Sequence, residues 1–266
     1  MQRYHVVGDE GPICLVHSGG PGIHWEYLKL PQLEGQLRLV HVEPIGTGQS
    51  GRIPDGDYSV ARYARFAHGV VEHLGEQQVY FLGHSHGAFV GLQYALDYPK
   101  DLAGLILYEG SPAYGIPEFN SEMMGNIKIY EETHLDDPAA GPAISSMLND
   151  DVHDDASFAA KLSAILPLYF ANWGKIDVTT WQASLGATHD PNRKPSTWDV
   201  RALLGTVHTP TLVLVGRHDF ICGPRWANEL VNGISDSTLV VFENSGHFAH
   251  VEEPAQFFQA VHDFAR

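Results

Sequence analysis

The chain has 266 residues, 44% hydrophobic and 18% charged, values of a globular protein with a sizeable core rather than a disordered or fibrous chain. Its formal net charge of −16 at pH 7 argues against nucleic acid and anionic membrane surfaces as partners. Two cysteines, Cys14 and Cys222, make no disulfide framework, the N-terminus carries no signal-like apolar region, and no apolar run is long enough to span a bilayer; a cytoplasmic location is expected.

In chain order, Tyr4–Val7 reads as a short strand and Gly8–Pro12 as a turn. Ile13–His17 is a continuous apolar run, the pattern of a strand covered on both faces. It leads into Ser18-Gly19-Gly20-Pro21-Gly22 and a predicted helix over Trp25–Leu33. Leu37–Val42 is a second buried strand, ending in the glycine-rich stretch Glu43–Gly51. Ser59 is placed to cap a helix reaching about Leu74, with Tyr63, Phe66, Val70, Val71 and Leu74 on its apolar face. A strand at Val79–Leu82, a helix at Ala88–Ala95 and a strand at Leu102–Tyr108 follow. Such alternation implies right-handed βαβ crossovers and a parallel sheet.

The rhythm breaks at Glu109-Gly110-Ser111-Pro112. From Ser111 to Leu204 no strand-like run occurs, only helical patterns such as Asp155–Trp173, prolines and acidic clusters. That length is too great for a loop in a compact domain, so a helical insertion is expected over 111–204, within a core of 1–110 and 205–266. Strands at Thr211–Val215 and Thr238–Phe242 then alternate with helices at Trp226–Val231 and Pro254–Phe264.

Chemistry centres on Gly83-His84-Ser85-His86-Gly87, a G-x-S-x-G between a strand and a helix. A serine at such a sharp turn can be a nucleophile, but its hydroxyl needs a general base oriented by a carboxylate. On this architecture the partners follow as acid and then histidine, each in a loop after a strand. Asp219, after Thr211–Val215, and His247, after Thr238–Phe242, meet that order. An oxyanion would be held by the backbone N–H of His86 and of Gly20, with Gly19 the alternative donor. The scheme calls for no cofactor and no metal. His84-x-His86 is half of a zinc site without a second half.

These motifs together resemble the α/β-hydrolases, and among them the proline iminopeptidase-like group. Gly19-Gly20-Pro21-Gly22 resembles that group's H-G-G-P-G loop, with Ser18 in place of histidine. Gly46-Thr47-Gly48-Gln49-Ser50 resembles the end of D-x-R-G-x-G-x-S, although Glu43-Pro44-Ile45 replaces its beginning. Ser245-Gly246-His247 with Glu253-Pro254 matches the histidine loop, and the insertion falls where a helical cap belongs. The resemblance implies an α/β-hydrolase fold with a helical cap after the strand that follows the elbow helix. It also implies a cofactor-independent serine hydrolase cleaving a small amide or ester, as an iminopeptidase or aminoacyl-amide hydrolase does. Esterases, lactonases and C–C bond hydrolases share the scheme and stay open. An epoxide hydrolase or haloalkane dehalogenase would need an aspartate where Ser85 stands.

The expected partner is a small molecule or short peptide. Gly19, His84, Glu109, Tyr169 and Trp173 are the candidate substrate-binding residues, with Trp181 a further aromatic of the insertion. Glu109 also stands where some members of the fold carry the catalytic acid. Glu118, Glu122, Glu131 and Glu132 could meet a substrate ammonium group, or only face solvent. A metal-dependent hydrolase and a non-catalytic binding module are the alternatives from other classes.

Overall fold

The apolar runs become strands at the centre of the molecule in a computed structural model that describes residues 1–175 and 177–266. The chain begins with β1 (Arg3–Val7), β2 (Ile13–His17), β3 (Arg38–Glu43), α1 (Val60–Leu74), β4 (Val79–His84), α2 (His86–Asp97) and β5 (Leu102–Tyr108). It continues with β6 (Ala113–Tyr114), α3 (Pro117–Thr133), α4 (Ala140–Leu148), α5 (Asp155–Ile165), α6 (Thr179–Gln182) and β7 (Trp198–Asp199). β8 (Thr211–Gly216), α7 (Pro224–Gly233), β9 (Ser237–Phe242), α8 (Ala249–Glu252) and α9 (Pro254–Phe264) complete the order.

Seven strands form one sheet in the order β1-β3-β2-β4-β5-β8-β9. All pairings are parallel except β1 against β3. Every residue of β2 and of β8 is buried, which explains why their sequences run apolar without alternation. On one face Tyr63 and Val70 of α1, Leu92 of α2 and Trp226 of α7 pack on Phe81 and Val213. On the other, Leu28, Leu33, Phe257 and Val261 cover Leu82, Ile106 and Phe242. Each such side chain contributes about 1.5–3 kcal/mol by leaving water. The parallel order brings the C-terminal ends of β2, β4, β5, β8 and β9 to one edge, where ligands of open α/β sheets bind.

Several expectations need correction. Trp25–Leu33 is two 3-10 turns, Trp25–Leu28 and Pro31–Leu33, because Pro31 has no N–H to continue a helix. Asp155–Trp173 is not one helix either; α5 stops at Ile165, and Leu166–Tyr169, which contains Pro167, tightens into a 3-10 turn. Ser59 stands at the N-cap of α1, yet its hydroxyl makes no capping bond; its own N–H donates to Asp57. The insertion is not strandless, since Ala113 pairs with Asp199 and Tyr114 with Trp198 in a small antiparallel bridge. Two-residue strands leave no periodicity to read. Among the described residues no helix is long and apolar enough to cross a membrane.

Candidate active site

Between Phe81 and Leu92 every residue is buried except Ser85. It sits at the turn from β4 to α2 with φ 55° and ψ −120°, a conformation costing on the order of 1–3 kcal/mol for a residue with a side chain. The flanking glycines make the turn physically feasible. A Cβ on Gly83 would strike the Gly87 carbonyl, and one on Gly87 the His17 carbonyl. Ser85 N–H donates to the Tyr108 carbonyl at 2.8 Å, tying the elbow to β5.

Asp219 and His247 meet behind this turn. His247 Nδ1–H donates to Asp219 Oδ2 at 2.8 Å, and both side chains are buried. Asp219 Oδ1 takes the N–H groups of Ile221 and Cys222 at 2.8 and 3.2 Å. Burial alone would raise the Asp219 pKa, but the His247 ring and these hydrogen bonds hold it below the ordinary carboxylate value. With Nδ1 committed as a donor, Nε2 of a neutral His247 is the basic nitrogen. Ser85 and His247 line one cavity of about 190 Å³. Among the described residues no hydrogen bond joins Ser85 Oγ to His247; such bonds commonly tighten only with substrate in place.

The two candidates for the second oxyanion donor separate cleanly. Gly19 N–H is spent on Tyr27 Oη at 2.7 Å. Gly20 N–H, at φ 129°, and His86 N–H, at the first position of α2, have no backbone partner among the described residues and border the cavity. Gly20 is therefore the better placed donor.

His84 lines the cavity as expected, with both ring nitrogens engaged by protein groups. Its Nε2–H donates to the His247 carbonyl at 2.9 Å, so Nδ1 accepts from Tyr27 Oη–H at 2.6 Å. A directional chain runs from Gly19 through Tyr27 and His84 to the His247 backbone. Burial, then the neighbouring His247 and His250, hold the His84 pKa well below its ordinary value, so the ring stays neutral. His84 and His86 do not converge on a metal either, because His86 packs instead against Tyr63 with ring centroids 4.9 Å apart.

Glu109 lies outside the cavity, contrary to its placing with the substrate-binding residues. It is fully buried at φ 49°, and its two oxygens take Gly216 N–H at 2.9 and 3.1 Å. One of its oxygens lies within 4.8 Å of ligand-type atoms of Asp219 and His247. Burial, and then the charge of Asp219, push the Glu109 pKa well above the ordinary value. The direct bond of His247 Nδ1 goes to Asp219, and Glu109 is held on Gly216 N–H beside that pair.

Tyr169 lines the cavity as expected, and its carbonyl accepts the His247 N–H at 2.7 Å. Trp173 does not line it; it packs on Phe170, with centroids 5.4 Å apart. Trp181 sits behind Tyr27 and Phe248, its Nε1–H donating to the Tyr27 carbonyl. Glu118 and Glu122 turn to Arg201 and Arg225, and Glu132 pairs with Lys128. The walls that sequence reasoning missed are Tyr27 and Tyr114 and the apolar Ile23, Phe89, Phe119, Leu185, Ile221 and Phe248. Only Phe248, directly after His247, carried a positional signal.

The histidine loop is tied to the insertion by Glu252. Its carboxylate takes Gly246 N–H at 2.6 Å, Ala171 N–H at 2.9 Å and Asn172 N–H at 3.3 Å. Burial nevertheless pushes it up to about 7. Glu253, next along, accepts from Ser245 Oγ at 2.6 Å and Asn244 N–H at 2.9 Å. These bonds explain physically why Ser245-Gly246-His247 and Glu253 occur together.

A seven-stranded, mostly parallel sheet flanked by helices, with a nucleophile elbow and an acid and a histidine at strand ends, defines an α/β-hydrolase fold. A match to the alpha/beta hydrolase family spans residues 15–260, and the chain belongs to that family. It is 25% identical over 268 residues to a 2-hydroxy-6-oxo-6-phenylhexa-2,4-dienoate hydrolase of Comamonas testosteroni, covering 99% of this chain and 91% of that one. A proline iminopeptidase of Saccharolobus solfataricus is 24% identical over 283 residues, covering 98% and 86%. An alpha/beta fold family hydrolase from Bacillus anthracis superposes with a TM-score of 0.77 at 23% identity, over 99% of this chain and 95% of that one. The proline iminopeptidase resemblance thus stands beside other hydrolase names, and the family is what they share.

Proposed function

We propose that the protein is a cofactor-independent serine hydrolase of a small acyl compound. Ser85 Oγ attacks the carbonyl carbon while His247 Nε2 takes its proton, and the oxyanion is held by the N–H groups of Gly20 and His86. His247 then gives that proton to the leaving group as the bond to it breaks. Water, deprotonated by the same nitrogen, releases the acid from Ser85. Asp219 keeps its charge throughout and stabilises the imidazolium. Each oxyanion donor would supply about 3–4 kcal/mol. Glu109 and the Tyr27–His84 pair act on Asp219 and His247 as positioning residues, and the helical insertion serves as the cap over the cavity.

The observation that carries this reading is the buried 2.8 Å bond from His247 Nδ1 to Asp219, which leaves Nε2 as the base in a cavity shared with Ser85. On the substrate side, the walls are mainly apolar and, among the described residues, include no carboxylate to meet an α-ammonium group. That favours an ester, lactone or ketone cleaved at a C–C bond over the aminopeptidase reading. The test is labelling by a fluorophosphonate together with turnover of p-nitrophenyl esters and prolyl p-nitroanilide. Labelling and ester turnover are expected in the wild type and neither in Ser85→Ala. An unlabelled wild type, or wild-type turnover in Ser85→Ala, would sink the proposal; fast cleavage of the prolyl anilide alone would restore the iminopeptidase.

A further inference from the structure

We propose that Arg193, with Tyr63 and His86, forms a buried site beside Ser85 for a carboxylate carried on the substrate's acyl group. The inference rests on the hydrolase reading above and extends it to a substrate class: monoesters, or analogous C–C substrates, of short dicarboxylic acids.

Arg193 is anchored to the oxyanion loop, its Nη1–H donating to the Pro21 carbonyl at 3.0 Å, one residue from Gly20. Its guanidinium lies 4.8 Å over the Tyr58 ring. The two remaining nitrogens, Nε and Nη2, are buried and have no partner among the described residues. Those two N–H groups share one edge of the planar fork, the edge that binds a carboxylate through two parallel hydrogen bonds. The neighbouring acid, Asp190, is already engaged by Tyr58 Oη–H at 2.5 Å and by Asn192 N–H at 3.0 Å. No ion pair joins it to Arg193 among the described residues.

Three more buried polar atoms in the same neighbourhood lack partners among the described residues: Tyr63 Oη, His86 Nε2 and His17 Nε2. The Tyr63 ring is 4.9 Å from that of His86 and 6.0 Å from those of His17 and Tyr58. Native interiors leave few polar groups unsatisfied, and such a group signals a ligand, an ion, bound water or a catalytic role. His17 Nδ1–H donates to the Ser18 carbonyl, so its Nε2 can only accept; Tyr63 and His86 can donate. Burial holds His17 at about 4 and, followed by the charges of His17 and Arg193, His86 at about 3, so both rings are neutral near pH 7. One guanidinium with neutral donors matches a single negative charge better than a phosphate dianion. His86 adjoins the nucleophile and borders its cavity, and Tyr114 borders both that cavity and the neighbouring opening lined by Arg193, Tyr58 and Pro21, so a carboxylate a few bonds beyond a carbonyl at the Gly20 and His86 N–H groups would extend past Tyr114 toward this edge.

The experiment uses monomethyl glutarate and its uncharged counterpart methyl valerate. In Ser85→Ala, calorimetry is expected to show at least tenfold tighter binding of the monomethyl glutarate. Adding Arg193→Met should abolish that difference, and Tyr63→Phe, which removes only a hydroxyl, should reduce it about threefold. In the active protein the ratio of kcat/KM for mono-p-nitrophenyl glutarate over p-nitrophenyl valerate should fall at least tenfold in Arg193→Met. Equal binding of the two compounds, or a preference that survives Arg193→Met in folded protein, overturns the site and leaves these atoms to ordered water. Arg193-dependent binding without fluorophosphonate labelling would retain the site and remove the hydrolase reading. Labelling without the preference would do the reverse.

Discussion

The two flanks of Ser85 are built on opposite terms. On the Asp219–His247 side nearly every polar atom has a partner: Asp219 receives three hydrogen bonds, His84 accepts one and donates one, and the His247 backbone is held at both its N–H and its carbonyl. On the Arg193–Tyr63–His86 side, buried donors and acceptors stand unmatched. A fully satisfied network fixes one geometry, as a base and its orienting acid require. An unsatisfied one is held open by its surroundings, as a recognition site requires. On the proposed function the first flank carries the chemistry and the second the selection.

The comparison breaks most visibly at Asp219. Asp219→Asn keeps the shape but reverses which group donates to His247 Nδ1, so kcat for an ester substrate should drop by about 10⁴ while KM changes little. Full turnover in that variant would mean the tight flank is scaffolding only. Acidification tests both flanks together. His17 and His86 on the open side, and His250 on the closed side, have folded pKa values of about 4, 3 and 4 against an ordinary 6.5. A depressed pKa means that the stabilising contribution is present above 6.5 and is lost as pH falls from there toward 4. His17 and His250 each account for on the order of 3 kcal/mol and His86, whose loss continues toward pH 3, for about 5 kcal/mol, so urea melts should show a steep fall over that interval. A flat profile to pH 4 would place these rings in water rather than in the core.

Glu109 sharpens the contrast next. Its raised pKa makes the protonated form the stable one, so its contribution is intact at low pH and is lost as pH rises through the folded value. Glu109→Gln, a neutral acceptor for Gly216 N–H, should melt within a few degrees of the wild type and be less sensitive to alkali. Glu109→Ala leaves a cavity and an orphaned N–H, and should cost about 2–4 kcal/mol in denaturant melts. Equal melting of the two variants would show that the buried Glu109 bond to Gly216 N–H adds nothing to stability. Tyr27→Phe should have the smallest effect. It removes the hydroxyl shared by Gly19 and His84, costing about 1–2 kcal/mol of stability. Labelling of Ser85 should then slow several-fold, an effect a purely structural tyrosine would not produce in refolded, fully stable protein.

What the sequence revealed followed the kind of interaction involved. β2 and β8 were readable because burial on both faces demands uninterrupted apolar residues. The elbow, Asp219 and His247 were readable because each lies just after such a strand. The β6–β7 bridge was not, since two-residue strands carry no period, and the Trp25–Leu33 and Asp155–Trp173 segments were broken by Pro31 and Pro167. The Tyr27–His84 link joins residues 57 apart, and Arg193 reaches Pro21 across 172. Neither contact leaves a mark in local sequence, and the same holds for Phe119 and Leu185 in the cavity wall. Trp173 was drawn in by its type alone and packs elsewhere.

Glu252 has a consequence for how this scaffold can be remodelled. One carboxylate grips the loop of the base and the turn at 171–172, while the Tyr169 carbonyl holds the His247 N–H. The insertion is therefore not an interchangeable module laid over a finished engine. Replacing it wholesale to change specificity would remove part of the mounting of His247. A graft that retains residues 169–172 and varies the helices around them is the exchange the architecture permits.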